Sequence, residues 1–241
     1  MPGSEDEERA PGAMSERAAG VVRVHWRLAA PGEDPSVARA LLRAAVAARL
    51  GIEDGDVRIG RSCPGCGSAD HGRPVLLAAR AVPLSLSLSL ARAPGLVAAA
   101  TSDAGPVGID VEAADRTAFD GFADVALHPA ESAATPGQRA RTWARKEAVL
   151  KAAGAGLRVD PRLLVVTDPA SAPAVRSGPG LDPDRLWLTD LDLPAGYAGC
   201  LALAAPAPAA VVVTSGAATR TAGGAGPPPA APGGARGATT P

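Results

Sequence analysis

The chain has 241 residues, of which 46% are hydrophobic and only 2% aromatic, and its formal net charge is −1. That balance excludes the broad basic face of a nucleic-acid binder, and no run of about eighteen apolar residues exists to cross a membrane as a helix. The core must be built from Ala, Val and Leu, each small, so many aliphatic contacts replace a few rings.

Met1 to Arg17 is charged, acidic and without an apolar stretch, so residues 1–19 read as a disordered lead-in and not as a secretory leader. Val21 to Leu28 alternates as a strand does. Pro35-Ser36 opens a helix that carries Leu42, Val46 and Leu50 and stops at Gly51. Val57 to Ile59 is a short strand, and Cys63 to Pro74 a Gly-rich loop. Leu84 to Leu90 alternates Leu and Ser in strict period two, predicting a strand with one buried face, turned by Pro94-Gly95. Gly95–Thr101 and Pro106–Val111 read as a hairpin around Ser102 to Gly105.

The period then changes. Phe119, Phe122, Val125 and Ala126 fall at helical spacing, and a longer helix is predicted from about Gly137 to Ala153, ended by Gly154. Leu163–Thr167 returns to strand character. Leu186–Leu193 and Gly196–Ala204 form a second hairpin around Pro194-Ala195-Gly196. Ala205 to Pro241 is dominated by Ala, Pro and Gly and reads as a disordered tail. The pattern predicts an α+β fold of two similar packed lobes, residues 20–105 and 106–204, with the functional site at their interface.

Two clusters carry chemistry. In Gly108-Ile109-Asp110-Val111-Glu112, residues two apart share a strand face, so Asp110 and Glu112 present carboxylates to one side while Ile109 and Val111 enter a core. Hard oxygen donors of this kind suit Mg²⁺; the plainer alternative is a strand end with exposed acids. In the segment Trp143 to Leu157, Trp143, Glu147 and Lys151 are successive i, i+4 neighbours on one helix face. The plainer alternative is a surface Glu–Lys pair, but the tryptophan turns that stripe inward, and a partly buried carboxylate needs a partner.

Together the clusters resemble the two signature motifs of the 4′-phosphopantetheinyl transferase superfamily, G-[IV]-D-[IV]-E and W-x-x-K-E-x-x-x-K-x-x-G-x-G-L, with every fixed position present. The length is similar to that of the monomeric, two-lobed Sfp-type branch. The resemblance implies a transferase that moves the phosphopantetheine arm of coenzyme A onto a serine of an apo acyl or peptidyl carrier protein, in the cytoplasm. It implies Mg²⁺ on Asp110, Glu112 and Glu147, with Glu147 and Lys151 catalytic. Arg73, Pro74, Ser89, Lys146 and Lys151 are then expected on coenzyme A, since Gly72-Arg73-Pro74 matches the family's G-[KR]-P segment. Ser89-Leu90-Ala91 stands where the family has S-H-S, so Leu90 replaces a phosphate-binding histidine, and Arg92 follows it. Arg39, Arg43 and Arg49 are further candidates for the 3′-phosphate, and Arg139, Arg141 and Arg145 for steering the acidic carrier.

The three cysteines, Cys63, Cys66 and Cys200, are too few and odd in number for a disulfide framework, which fits a reducing compartment. Cys63-x-x-Cys66 with His71 makes half a zinc knuckle, whose fourth ligand would be Cys200, His25 or water; the preferred reading is a Gly-rich turn with two small buried thiols. Two rival functions follow, a degenerate coenzyme A binder, motivated by Leu90, and a zinc-dependent binding module.

Overall fold

A computed structural model describes residues 20–30, 32–34, 36–78 and 86–216. The expected lead-in, residues 1–19, lies outside them, as do residues 217–241 of the expected tail and Leu84 and Ser85 of the Leu-Ser strand. The chain mixes helix and strand in an α+β fold.

Two sheets carry the architecture. The first has the order β11-β1-β5-β4, from β1 (Val21–Leu28), β4 (Ser87–Ala93), β5 (Leu96–Ser102) and β11 (Ala210–Gly216). The second has the order β6-β10-β9, from β6 (Val107–Ala113), β9 (Leu186–Asp190) and β10 (Tyr197–Ala204). Their apolar faces pack together, Val22, Val24, Ala98 and Ala100 against Ile109, Val111, Leu201 and Leu203. Helix α1 (Val37–Leu50) covers the far face of the first sheet, setting Leu42 and Val46 on Leu88 and Ala99. Helix α3 (Pro136–Ala152) covers the far face of the second, setting Ala144 and Ala148 on Cys200 and Ala202. The result is helix, sheet, sheet, helix, and the small side chains of β5 and α3 let these layers approach closely. A separate antiparallel hairpin, β2 (Arg58–Ser62) with β3 (Arg73–Ala78), flanks the first sheet, and β7 (Val165–Val166) pairs with β8 (Val175–Ser177).

Helix α3 begins with a capping box: Thr135 accepts from the Gln138 amide, and Gln138 reaches back to the Thr135 amide. The short helix α2 (Phe122–Ala126) precedes it, and Phe122 meets Trp143 edge to face at 6.3 Å, so the tryptophan anchors α3 to its own entry loop.

Three sequence expectations need correction. The segments flanking Ser102 to Gly105 are not a hairpin: β5 pairs with β1 and β4, whereas β6 crosses into the second sheet and pairs with β10. The Leu-Ser strand buries both faces. Leu88 packs under α1, while the Ser87 and Ser89 hydroxyl oxygens accept the Val107 and Ile109 amides of β6, both at 3.0 Å. Serine thus stitches two sheet edges that have no backbone ladder between them. Finally, the tail does not begin at Ala205. Residues 210–216 form a parallel edge strand on β1, in which the run Val211-Val212-Val213-Thr214 supplies the β-branched side chains that favour a pleated surface.

Candidate functional site

The site lies where the edge of β4 meets β6. Asp110 pairs across the sheet with Cys200, on the face covered by α3, and Ile109 and Val111 point to the inter-sheet core, as the alternation predicts. Gly108 sets the spacing. A Cβ at that position would overlap the Ala148 carbonyl oxygen and lie 2.6 Å from the Ala152 nitrogen, so only glycine admits α3 this close to β6. The close approach lowers Lys151 onto the strand. Its ammonium donates to the Asp110 carboxylate at 2.6 Å and to the Ile109 carbonyl at 3.0 Å.

Two buried carboxylate oxygens of this site are left without a hydrogen-bond partner, Asp110 Oδ2 and Glu147 Oε1. Burial raises the Glu147 carboxyl above the usual range; the charge of Asp110 adds to the rise, and Lys151 opposes it. Glu112 is pushed up to about 8 by burial first and by the neighbouring Asp110 charge second. Burial likewise raises Asp110, with the Lys151 ammonium pulling the other way. Three acids share one ammonium in a partly desolvated place, so the arrangement calls for further positive charge. Hard oxygen donors with orphaned lone pairs suit a divalent cation such as Mg²⁺, and these residues fit it by chemistry. Their oxygens do not converge into one tight cluster: among the described residues the trio of His, Cys, Asp or Glu whose ligand atoms all lie within 4.8 Å is Cys63, Cys66 and His71.

Asp110, Glu147 and Lys151 open into a cleft of about 1420 Å³. Its other walls are α1, the β2–β3 hairpin with its connecting loop, Leu88 to Arg92 of β4, and the turn after α3. Seven arginines line it, Arg39, Arg43, Arg58, Arg61, Arg73, Arg92 and Arg158, against the acids Asp70, Asp110 and Glu147. The cleft is therefore strongly cationic in a chain that is nearly neutral overall. A second hollow, of about 450 Å³ beside Ala29, Val37 and Gly95, carries none of the three carboxylates.

Residues 106–202 match the family model of the 4′-phosphopantetheinyl transferase superfamily. The matched segment runs from the strand bearing Asp110 and Glu112, through α3, to β10, and so holds all three carboxylates and Lys151. The match supports a transferase, and coenzyme A and a carrier protein are the partners that this family implies. No curated protein matches the chain closely enough to count as a relative. No described helix is long and apolar enough to cross a membrane.

The structure brings most of the expected residues to one place and removes others. Arg73 and Pro74 open β3 on the cleft, and Arg39 and Arg43 lie on its α1 wall, Arg43 bonded to Asp54 at 2.9 Å. Ser89 also lines the cleft, although its oxygen is engaged by β6. Leu90 does so from the neighbouring position, so the residue replacing the family histidine does face this space.

Lys146 does not. It is fully buried on the other side of α3, ion-paired with Glu131 and donating to the Ala126 and Pro161 carbonyls at 2.7 and 3.0 Å. Burial lowers its ammonium and Glu131 counters that. One residue before it, Arg145 is fully buried too, forked onto Asp190 at 2.7 and 3.0 Å and bonded to the Thr167, Asp168 and Ser171 carbonyls. Neither can touch coenzyme A or a carrier surface. Arg49 is tied to Asp103 and does not line the cleft. Arg139 is held by the Ala133, Thr117 and Phe119 carbonyls, whereas Arg141 keeps half its side chain exposed. Sequence reasoning missed Arg58, Arg61 and Arg158 on the cleft, and their only signal would have been the hairpin and turn that carry them.

Proposed function

We propose that the protein transfers the 4′-phosphopantetheine arm of coenzyme A to a serine hydroxyl of an apo carrier protein, releasing adenosine 3′,5′-bisphosphate. The observation that carries this reading is the pairing of orphaned carboxylate oxygens on Asp110 and Glu147 with an arginine-lined cleft, next to a lysine on a strand–helix junction. A ligand carrying a pyrophosphate and a further phosphate matches those cations, and the acids offer oxygen donors for a divalent cation that would offset their own repulsion of that ligand.

Asp110, Glu112 and Glu147 would hold a divalent cation, which when bound would neutralise charge on the pyrophosphate. The serine oxygen attacks the β-phosphorus, a new P–O bond forms, and the bond to the bridging oxygen of the adenosine 3′,5′-bisphosphate half breaks. Glu147 takes the serine proton, its carboxyl raised above the usual range by burial first and by the Asp110 charge second. Lys151 steadies the developing charge from its seat on Asp110. Arg73, with Arg39, Arg58 and Arg61, binds coenzyme A phosphates, and Leu90 packs against the ligand without donating to it.

We also read the two halves, about 20–105 and 106–204, as lobes related by duplication. Orders β1-β5-β4 and β6-β10-β9 correspond, and each half follows its first strand with a helix that covers its sheet. The cleft at their seam draws walls from both halves of one chain, which supports a monomer of the Sfp-type branch; light scattering after size-exclusion chromatography tests the monomer.

The test of the reaction is intact-mass analysis of several apo carrier proteins incubated with this protein, coenzyme A and Mg²⁺. Gain of the arm by at least one carrier is the expected result. Retention of coenzyme A with no carrier modified would favour a binding protein over a transferase.

A further inference from the structure

The loop between β2 and β3 was expected to bury two small thiols in a Gly-rich turn. It does not: Cys63 is half-buried and Cys66 is exposed, and both are free. Their sulfurs and a ring nitrogen of exposed His71 all lie within 4.8 Å of one another. Cys66 Sγ stands 3.3 Å from His71 Nε2. Two ligands of a tetrahedral zinc ion, at about 2.3 Å for sulfur and 2.0–2.1 Å for imidazole nitrogen, are separated by about 3.5 Å. The observed separation is already close to that value, with the soft donor types zinc takes.

The backbone is shaped to the same end. The Gly67 amide donates to the Cys63 carbonyl at 2.8 Å, and the Cys63 amide to the Ser68 carbonyl at 2.9 Å, closing a tight turn on the two cysteines. Cys200 is buried on β10 and His25 sits on β1 in the first sheet, so neither joins the group.

We propose that Cys63, Cys66 and His71 bind a zinc ion, with the fourth position open to solvent. The ion would act as a clip. The loop it closes runs from Ser62 to Arg73, which are partners in the hairpin register, and a two-stranded hairpin is marginal alone. The loop also rests on the turn that ends α3: a Cβ on Gly154 would meet Pro64 at 3.3 Å, and one on Gly65 would overlap the Arg158 guanidinium. Pinning the loop therefore fixes Arg73 and the hairpin wall against the end of the helix that bears Glu147 and Lys151.

The test uses the full chain, reduced with a phosphine, stripped with chelator, and titrated first with Co²⁺ and then with Zn²⁺. One equivalent of cobalt should give the visible absorption of a tetrahedral site together with a near-ultraviolet thiolate-to-cobalt charge-transfer band. One equivalent of zinc should bleach both. The double variant Cys63→Ser, Cys66→Ser should lose the charge-transfer band, and His71→Ala should weaken zinc binding at least about tenfold. Circular dichroism checks that each variant is folded. Because the band arises from sulfur alone, cobalt on the carboxylates cannot mimic it, and the result is independent of whether the protein transfers phosphopantetheine. A wild-type chain that shows no thiolate band under reductant, or a double variant that keeps it, overturns the proposal.

Discussion

The two faces of α3 hold the same kinds of residue and treat them in opposite ways. On the back face Arg145 and Lys146 are completely buried, yet every charge there meets a carboxylate or a carbonyl. On the front face Glu147 and Lys151 are only partly buried, and the surrounding acids keep two oxygens without partners. Buried groups that are fully satisfied hold the structure together, whereas two short-partnered carboxylates beside an arginine-lined cleft suit a further ligand. The contrast predicts that substitutions on the front will act on chemistry and those on the back on stability.

The largest effect should come from Asp110→Asn, which keeps shape and removes charge. Turnover with coenzyme A, Mg²⁺ and an accepted carrier should fall at least about 10²–10³-fold. The melting temperature should hold or rise, because a buried acid with an unpartnered oxygen is removed. Wild-type-like turnover would break the assignment of the front face.

Lys146→Met should do the reverse. It leaves Glu131 buried beside the His128 and Val166 amides without its cation, and breaking such a pair costs about 3–5 kcal/mol. Urea unfolding reads the loss; an unchanged midpoint would contradict a structural role for the back face.

A subtler effect concerns pH. Glu112 titrates at about 8 in the folded protein against an ordinary value of 4.5, so the folded state binds its proton more tightly than the unfolded chain does. The stability this gives is present below the lower value and is lost as pH rises through the higher one. In buffer free of divalent cations, the denaturation midpoint should therefore decline between about pH 5 and pH 8.5, and Glu112→Gln should flatten that decline. A wild-type profile already flat over this window would contradict the burial of the acid.

The smallest effect expected is from Leu90→His. A new charge-assisted hydrogen bond to a phosphate is worth roughly 1.5–3 kcal/mol at best, and lost packing with α1 reduces it. The KM for coenzyme A should drop a few-fold to about tenfold. A KM that stays flat or rises in the folded variant would show that position 90 does not meet a phosphate.

The sequence made the front face legible because its information is local. Spacing of two on a strand and of four on a helix places Asp110, Glu112, Glu147 and Lys151, and both hydrophobic faces follow from the same periods. Lys146 was misplaced because it lies about 100° round the helix from Glu147, and rotation alone does not say which neighbour waits there. Its partner Glu131 is fifteen residues upstream in an irregular loop, beyond the reach of any period. The supposed hairpin of β5 and β6 failed for a related reason: a four-residue connection of turn formers serves equally well when the chain changes sheets. The strand Ala210–Gly216 was hidden by the Ala, Pro and Gly around it, although three consecutive valines were its signal.

That last strand has a consequence for the order of events as the chain is made. Its partners in β1 precede it by 189 residues, so this edge of the sheet waits on a long stretch of synthesis before it is paired. Until then β1 can complete its antiparallel pairing with β5 but keeps its outer rim of amides and carbonyls open. A nascent chain stalled before Ala210 would thus expose a ready template for strand addition.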